Sequence, residues 1–416
     1  MMLQARADRA SVSIQAIFEF AVVAICTLAF AATALAIGAS LLDHNGAGNR
    51  DYVEYWAAGQ QLIHHANPYD GTAIRKLELS AGFPPAAPTL YLGNPPSALL
   101  LMLPLGLVSP VTGEFLWELL LLLCLISSIL LTRGMLNQTF TEHQAHKYLL
   151  MFAFAPVLTC LLAGQISLFI LMGLVLFLRL HRGSPFLAGV SLWFCLLKPQ
   201  MFVPFGVVLI LWAIHTRNYK VFAGTAAALA SSSVIATLFE PRIWSHYRLM
   251  MHDQRIDQLG LPSPSVLLRQ HLYPHTFWVQ CLPAIAGSLW AAIYYSRHRE
   301  HWSWLEHGSL LMLVSALVAP YSWFMDQAAL IPALLYGLYA TRSRVLIATV
   351  ALASAWLEII ALRGAGLYSF WYFWTTPLWL AWFVLATSRR WSVSVKSQSQ
   401  SNQTSPAPGS ISNRIA

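Results

Sequence analysis

Charged residues make up only 10% of this 416-residue chain, while 57% of it is hydrophobic. A soluble domain needs roughly a quarter of its residues charged, so a protein folded in water is excluded. Cysteine is scarce as well. Cys26, Cys124, Cys160, Cys195 and Cys281 all lie in apolar runs with no paired spacing, so neither a disulfide framework nor a zinc site is expected. The alternating ten-residue strands of an outer-membrane barrel are missing. Walker, Rossmann and zincin motifs are missing too, and no Ser-His-Asp arrangement stands out. His64–His65 has no matching ligand set at helical spacing, so no metal is assigned. What remains is an all-α, polytopic membrane protein.

The mean hydropathy of +0.57 comes from apolar segments of membrane length. They are placed near 14–42, 110–132, 148–163, 166–180, 184–197, 201–215, 220–239, 276–296, 304–319, 327–341, 344–362 and 369–388, about twelve spans. The run from Ile14 to Leu42 is too long for a signal-peptide core and is read as a retained anchor after a short N-terminus, 1–13. The segment NPPSALLLMLPLGLVSP, 94–110, is short and Pro-bounded, and is read as re-entrant, with a short full span offset by the merging of two neighbours as the rival. Both termini then share a side, and the connections on it carry 16 of the 25 Lys and Arg. By the positive-inside rule that side is cytoplasmic. The net charge of +8 is thereby assigned to loops and not to nucleic-acid binding. The Ser/Gln/Asn-rich tail, 389–416, has almost nothing to bury and is expected to be disordered.

This sidedness collects the unusual polar clusters on the outer face, in the long segments 43–94 and 240–275 and in short loops between spans. They are NRDYVEYWAAGQQLIHHANPYDG (49–71), NPP (94–96), GQ (164–165), KPQ (198–200), PSPSVLLRQ (262–270) and PYSWFMDQ (320–327). A single outward-facing site is the economical explanation.

A helix from Asp51 to about His65 would carry Tyr52, Tyr55, Trp56, Gly59 and Leu62–Ile63 on an apolar stripe. Such a helix is expected to lie flat on the outer surface, among the interfacial aromatics. Asp51 at its start reads either as an N-cap, which stabilises by about 1 kcal/mol, or as a general base beside a partly dry pocket. Lys198, at the outer end of LWFCLLKPQ, reads either as a snorkelling lysine or as a ligand for a lipid-borne phosphate. A carboxylate in lipid costs roughly 2.5–3.5 kcal/mol on insertion scales, so Asp326 is expected to face a polar cavity. Glu114 and Glu118 share a helix face at i, i+4 spacing. They and Glu358 read equally as interhelical packing groups. Arg269 is a second candidate phosphate ligand, because a guanidinium binds oxyanions bidentately.

In order, DYVEYWAAG followed by NPY, then YLGNPPSALLLMLPLGL, GQISLFIL, LAGVSLWFCLLKPQ and APYSWFMDQ resemble glycosyltransferase family 87 over residues 14 to 388. The resemblance implies a C-type glycosyltransferase fold with amphipathic helices in the first outer loop. It also implies a polyprenyl-phosphate-linked sugar donor, mannose favoured, and a glycolipid or glycan acceptor. Asp51 matches the catalytic base, which would deprotonate the acceptor hydroxyl for inverting attack on the anomeric carbon. Lys198 and Arg269 would neutralise the departing phosphate. Glu54, Tyr55, Tyr69, Asn94, Gln165, Gln200, Trp323 and Asp326 would line the substrate pocket. No cofactor is implied, because the donor arrives through the lipid bilayer of the inner (plasma) membrane, with the site on its extracytoplasmic face. Some members carry His after the late Ser-Trp pair. Here Ser322-Trp323 is followed by Phe324, Met325 and Asp326, which excludes a His relay at that point and leaves Asp326 as a polar wall or sugar ligand. Two other readings use the same residues. A transporter or flippase of lipid-linked sugar would need the same charges, and an envelope-assembly scaffold would need Asp51 only as a cap.

Overall fold

The computed structural model describes residues 20–22, 24, 27–35, 38–39, 51–140, 147–253, 261–363 and 368–388. The N-terminus 1–13, parts of the expected 14–42 anchor including Cys26, and the expected disordered tail 389–416 lie outside the described residues. Among the described residues every regular element is helical. Five helices among the described residues are long and apolar enough to cross a membrane: Pro110–Thr139, Pro199–Thr216, Lys220–Phe239, Phe277–His301 and Arg344–Leu362. The segments expected at 148–163, 166–180, 184–197 and 304–319 form shorter apolar helices, Lys147–Ala163, Ser167–Leu180, Pro185–Cys195 and His307–Val318. The segment 94–110 is a chain of short turns over Pro96–Leu107. Those twelve residues rise only about 18 Å, well short of a hydrocarbon core about 30 Å thick.

Local chemistry sets where the helices begin. Ser109 and Ser263 each accept a hydrogen bond from the backbone N–H three residues on, and each is followed by a proline at the first helical position. Proline there loses no intrahelical bond and has its φ already set. Ser343 caps Arg344–Leu362 in the same way.

The longest helix shows which way the protein faces. In Pro110–Thr139, Glu114, Glu118, Ser128 and Thr132 are buried, while Phe115, Leu116, Leu119, Leu123 and Leu130 are exposed. Polar groups inward and leucines outward is the pattern a lipid solvent demands, since hydrocarbon offers polar atoms no partner. Glu358 follows the same rule: it is buried on Arg344–Leu362 and accepts a hydrogen bond from Thr33 Oγ1 at 2.9 Å.

Lipid tails are as apolar as leucine, so helices in a bilayer associate through close packing of small residues. Pro185–Cys195 and Lys220–Phe239 pack on each other in this manner. A Cβ placed on Gly189 would lie 1.9 Å from the Val221 carbonyl oxygen, and one on Gly224 would lie 2.0 Å from that of Phe186. The two backbones touch, and no side chain fits between them. Gly189→Ala is therefore expected to push the pair apart at a cost of about 1–3 kcal/mol, the usual range for overpacking. Gly134→Ala, in open space, is expected to be neutral or to stabilise by up to about 1 kcal/mol through backbone entropy. Thermal unfolding in detergent checks both. Equal midpoints for the two variants would refute the close-packing account.

Candidate active site

The acid-bearing segment after the first apolar run forms the helix Tyr52–Ile63. It does not lie flat on the surface. Tyr52, Val53, Tyr55, Trp56, Ala57, Ala58, Gly59 and Leu62 are all buried, which leaves only a narrow polar edge. The reason is again close backbone approach. Gly59 packs on Gly106, where a Cβ on either would fall 2.3 Å from a carbonyl oxygen. Trp56 Nε1 donates to the Val108 carbonyl at 3.0 Å and Gln60 Nε2 to that of Gly106 at 2.8 Å. The helix is clamped beneath the broken 96–107 segment, and the aromatic stripe meets protein, with Tyr55 and Trp117 rings 5.4 Å apart.

Asp51 precedes this helix but does not cap it: its side chain makes no capping hydrogen bond. Its carboxylate instead accepts from Gln165 Nε2 on one oxygen and from the Tyr368 hydroxyl on the other. Gln165 is the hub. Its Oε1 accepts from Tyr55 Oη at 3.0 Å and from Lys198 Nζ at 3.2 Å, an arrangement that leaves its amide nitrogen to serve Asp51. Gly164 makes that position reachable. It adopts φ of 69° at the end of Ala155–Ala163, the left-handed turn that glycine adopts without strain. A Cβ there would stand 2.9 Å from Tyr52 Cβ. The turn is held by Trp117 Nε1, which donates to the Gly164 carbonyl at 2.7 Å.

Lys198 does not snorkel outward. Only 11% of its side chain is exposed, and its ammonium bonds Asp326 Oδ1 at 2.6 Å as well as Gln165. The helix Pro185–Cys195 ends just before it, and Pro199 starts a 3₁₀ turn, so the lysine stands at a break with its chain turned inward. Asp326 lies in a second 3₁₀ turn, Phe324–Leu330, where Oδ1 also accepts from Ser167 Oγ at 2.6 Å and Oδ2 from the Trp323 backbone N–H at 2.9 Å. The Trp323 ring in turn stands edge-on to Tyr368 at 5.2 Å. Asn94 buttresses the lysine, donating from Nδ2 to the Leu197 carbonyl at 2.9 Å while its own carbonyl accepts from Tyr69 Oη at 2.9 Å.

Glu54 sits one helical turn from Asp51. Burial pushes its carboxyl well above the usual carboxylate range; the Asp51 charge pushes the same way and the Lys198 ammonium opposes it. The two acids thus differ in role: Asp51 is the hydrogen-bonded acceptor, and Glu54 is the neighbour that holds its proton to higher pH.

Of the residues singled out in the sequence, the structure brings together Asp51, Tyr55, Gln165, Lys198, Trp323 and Asp326, with Glu54, Asn94 and Tyr69 against them. Arg269 and Gln200 stand apart from this chain of hydrogen bonds among the described residues. Arg269 is buried, with no hydrogen-bond partner for Nε, and Gln200 is half-buried in the turn after Lys198. Sequence reasoning missed two members. Ser167 was within sight, two residues after Gln165 in GQIS. Tyr368 gave no signal, since it starts the aromatic run YSFWYFW, which reads as an interfacial belt.

Residues 91–320 match the family model of glycosyltransferase family 87. The matched stretch contains Asn94, Gln165, Lys198 and Arg269, while Asp51 and Asp326 flank it. No curated protein and no solved structure matches the chain. The family match spans more than half of the 416 residues, and the chain belongs to glycosyltransferase family 87, a membrane glycosyltransferase by its family and its helices.

Proposed function

We propose that this glycosyltransferase moves a hexose, mannose favoured, from a polyprenyl-phosphate donor to an acceptor hydroxyl on the extracytoplasmic face of the inner membrane. We further propose a C-type glycosyltransferase fold, with the remaining apolar helices completing about twelve spans. One observation carries the functional reading: polar residues from five separated segments converge on the chain Tyr368–Asp51–Gln165–Lys198–Asp326. An intramembrane or interfacial charge cluster is costly to assemble and marks a functional site by default.

In this reading Asp51 takes the proton of the acceptor hydroxyl. The freed oxygen attacks the anomeric carbon of the donor sugar from the face opposite the phosphate. The bond from that carbon to the phosphate oxygen breaks as the new glycosidic bond forms, so configuration inverts and polyprenyl phosphate leaves. Gln165 and Tyr368 orient the Asp51 carboxylate and are positioning residues. An ammonium has three N–H donors, and Gln165 and Asp326 use two of those on Lys198, so one can meet a phosphate oxygen. The buried Arg269 guanidinium, with Nε unpartnered among the described residues, is the second group suited to that phosphate.

Transfer of radiolabelled sugar by the purified protein, from a panel of polyprenyl-phosphate sugars to a membrane extract, tests the reading. A positioned general base typically contributes about 10²–10⁴-fold, so Asp51→Asn is expected to lose at least about 10²-fold of transfer. Glu54→Gln is expected to stay within tenfold of wild type, because glutamine mimics the protonated acid. Binding of a donor without any transfer would favour translocation or scaffolding instead.

The Glu54 environment also makes a stability prediction. As pH rises from about 4.3, the usual glutamate value, Glu54 ionises in the unfolded chain while it keeps its proton in the folded one. Its contribution is thus fully present below that pH and is lost as pH climbs towards the raised folded value. The midpoint difference between wild type and Glu54→Gln, followed by thermal unfolding from pH 4 to 8, should move in favour of the variant as pH rises. Parallel profiles would show that Glu54 is not held protonated.

A further inference from the structure

Beside the Asp51 cluster lies an open cavity of about 660 Å³ that none of the steps above uses. Its volume is within the range of small-ligand sites, roughly 300–1,000 Å³. Its wall is formed by the helix Gly71–Ser80, the loop that carries Thr89 and Tyr91, and the helix Ile243–Asp253. Two tyrosines contribute flat surfaces. Tyr91 is 43% exposed, and Tyr69 is held by its bond to the Asn94 carbonyl and by the Tyr247 ring at 5.3 Å. Asn67, Thr72 and Thr89 add amide and hydroxyl groups.

Two of the basic groups around the cavity have acidic partners, and the other two ionisable groups, Asp70 and Lys76, are of opposite sign. Arg75 bonds Glu78 at 3.2 Å and also donates to the Pro84 and Pro85 carbonyls. His246 stands 3.5 Å from Glu240. Asp70 accepts from the Thr72 and Ala73 backbone N–H groups and faces the same cavity as Lys76. Aromatic faces with hydroxyl and amide groups and lining charges of both signs suit an uncharged, polyhydroxylated ligand better than a phosphate or a carboxylate.

The cavity is also connected to the site. Tyr69 lines it and, through Asn94, buttresses the residue before Lys198. Glu78, which bonds cavity-lining Arg75, is near enough to Glu54 for its charge to act there.

We propose that this cavity is the subsite for a neutral oligosaccharide segment of the acceptor, which it holds so that one sugar hydroxyl reaches Asp51. The role as acceptor site rests on the transferase reading above; the saccharide binding does not.

The test is saturation-transfer NMR on the full-length protein in lipid nanodiscs, with mannotriose, maltotriose and trigalacturonate as probes. Sugar transfer is measured in parallel on the same samples. A neutral trisaccharide is expected to give a binding signal with wild type and with Asp51→Asn. The signal should fall at least tenfold in Tyr91→Ala, which removes a ring, and in Thr72→Trp, which fills the space. Opposite changes at two positions keep the outcome from depending on one packing contact. Absence of any neutral-saccharide signal in wild type, an undiminished signal in both cavity variants, or a stronger signal from trigalacturonate would overturn the proposal. Should transfer depend on Asp51 while saccharide binding ignores Tyr91 and Thr72, the cavity assignment fails and the transferase reading stands. Saccharide binding that depends on both residues, beside transfer that survives Asp51→Asn, leaves the cavity and removes Asp51 as base.

Discussion

The contact between the Lys198 ammonium and the Asp326 carboxylate, at 2.6 Å and nearly out of reach of solvent, is the interaction on which the site depends. A buried charge with no partner costs several kcal/mol, and a buried pair repays its desolvation only when further hydrogen bonds satisfy what remains. Every neighbour here answers that demand. Ser167 and the Trp323 backbone complete Asp326, Gln165 completes Lys198, and Gln165 then has an amide nitrogen left for Asp51. Removal of either member of the pair would strand the other and loosen Gln165 with it. Asp51 is thus oriented, through Gln165, by the Lys198–Asp326 pair.

Such a cluster constrains the backbone around it. Regular helices satisfy their own N–H and C=O groups, but they cannot turn sharply enough to bring five segments to one point. The chain breaks its helices where the site is: at Gly164, at Pro199 and at the 3₁₀ turn Phe324–Leu330. Irregular backbone at membrane depth is tolerated only where protein or a wet cavity covers it. The bonds from Trp117 to the Gly164 carbonyl and from Asn94 to the Leu197 carbonyl supply that cover. The same logic explains the short helices. Elements that end at a shared polar centre need not each run the full thickness of the bilayer.

Much of this was legible in the sequence, for a physical reason. In a chain with so few charges, a Lys, Asp or Gln beside an apolar run is expensive and stands out, and the positive-inside sidedness puts Gln165, Lys198 and Asp326 on one face. What was not legible concerns direction. An Asp before a helix has the same signature whether it caps that helix or turns away to meet Gln165, and a lysine at a helix end looks alike whether it snorkels or folds inward. The Tyr52–Ile63 helix looked interfacial because its aromatics form a stripe. Ala57, Ala58 and Gly59, which carry little hydrophobic signal, are what admit the 96–107 segment so closely that the helix is enclosed. Tyr368 could not be found because its hydroxyl matters only through a contact 317 positions away in the chain. The number of spans was equally hidden, since apolar length reports what could cross and not where each helix ends.

The charge arithmetic of the cluster bears on the proposed reaction. Among the described residues, Asp326 pairs with the Lys198 ammonium, Asp51 is a second carboxylate linked to it through Gln165, and Glu54 would make a third. A donor phosphate adds more negative charge to a region of low dielectric, where like charges repel strongly. Two features reduce that repulsion. Burial and the Asp51 charge both favour the neutral form of Glu54, which weighs against a third charge in the site. Arg269 is a buried cation whose Nε has no partner among the described residues, and in the proposed reaction it would supply a second positive charge for the phosphate. In the proposed reaction the phosphate would meet an ammonium already tethered to Asp326, with the Arg269 guanidinium as the second cationic ligand. The first keeps its geometry as the leaving group departs, and the second gains most when the phosphate bears its full charge. Stabilisation that grows as charge develops on the leaving group, while Gln165 and Tyr368 orient Asp51, is the division of labour that lowers a transfer barrier.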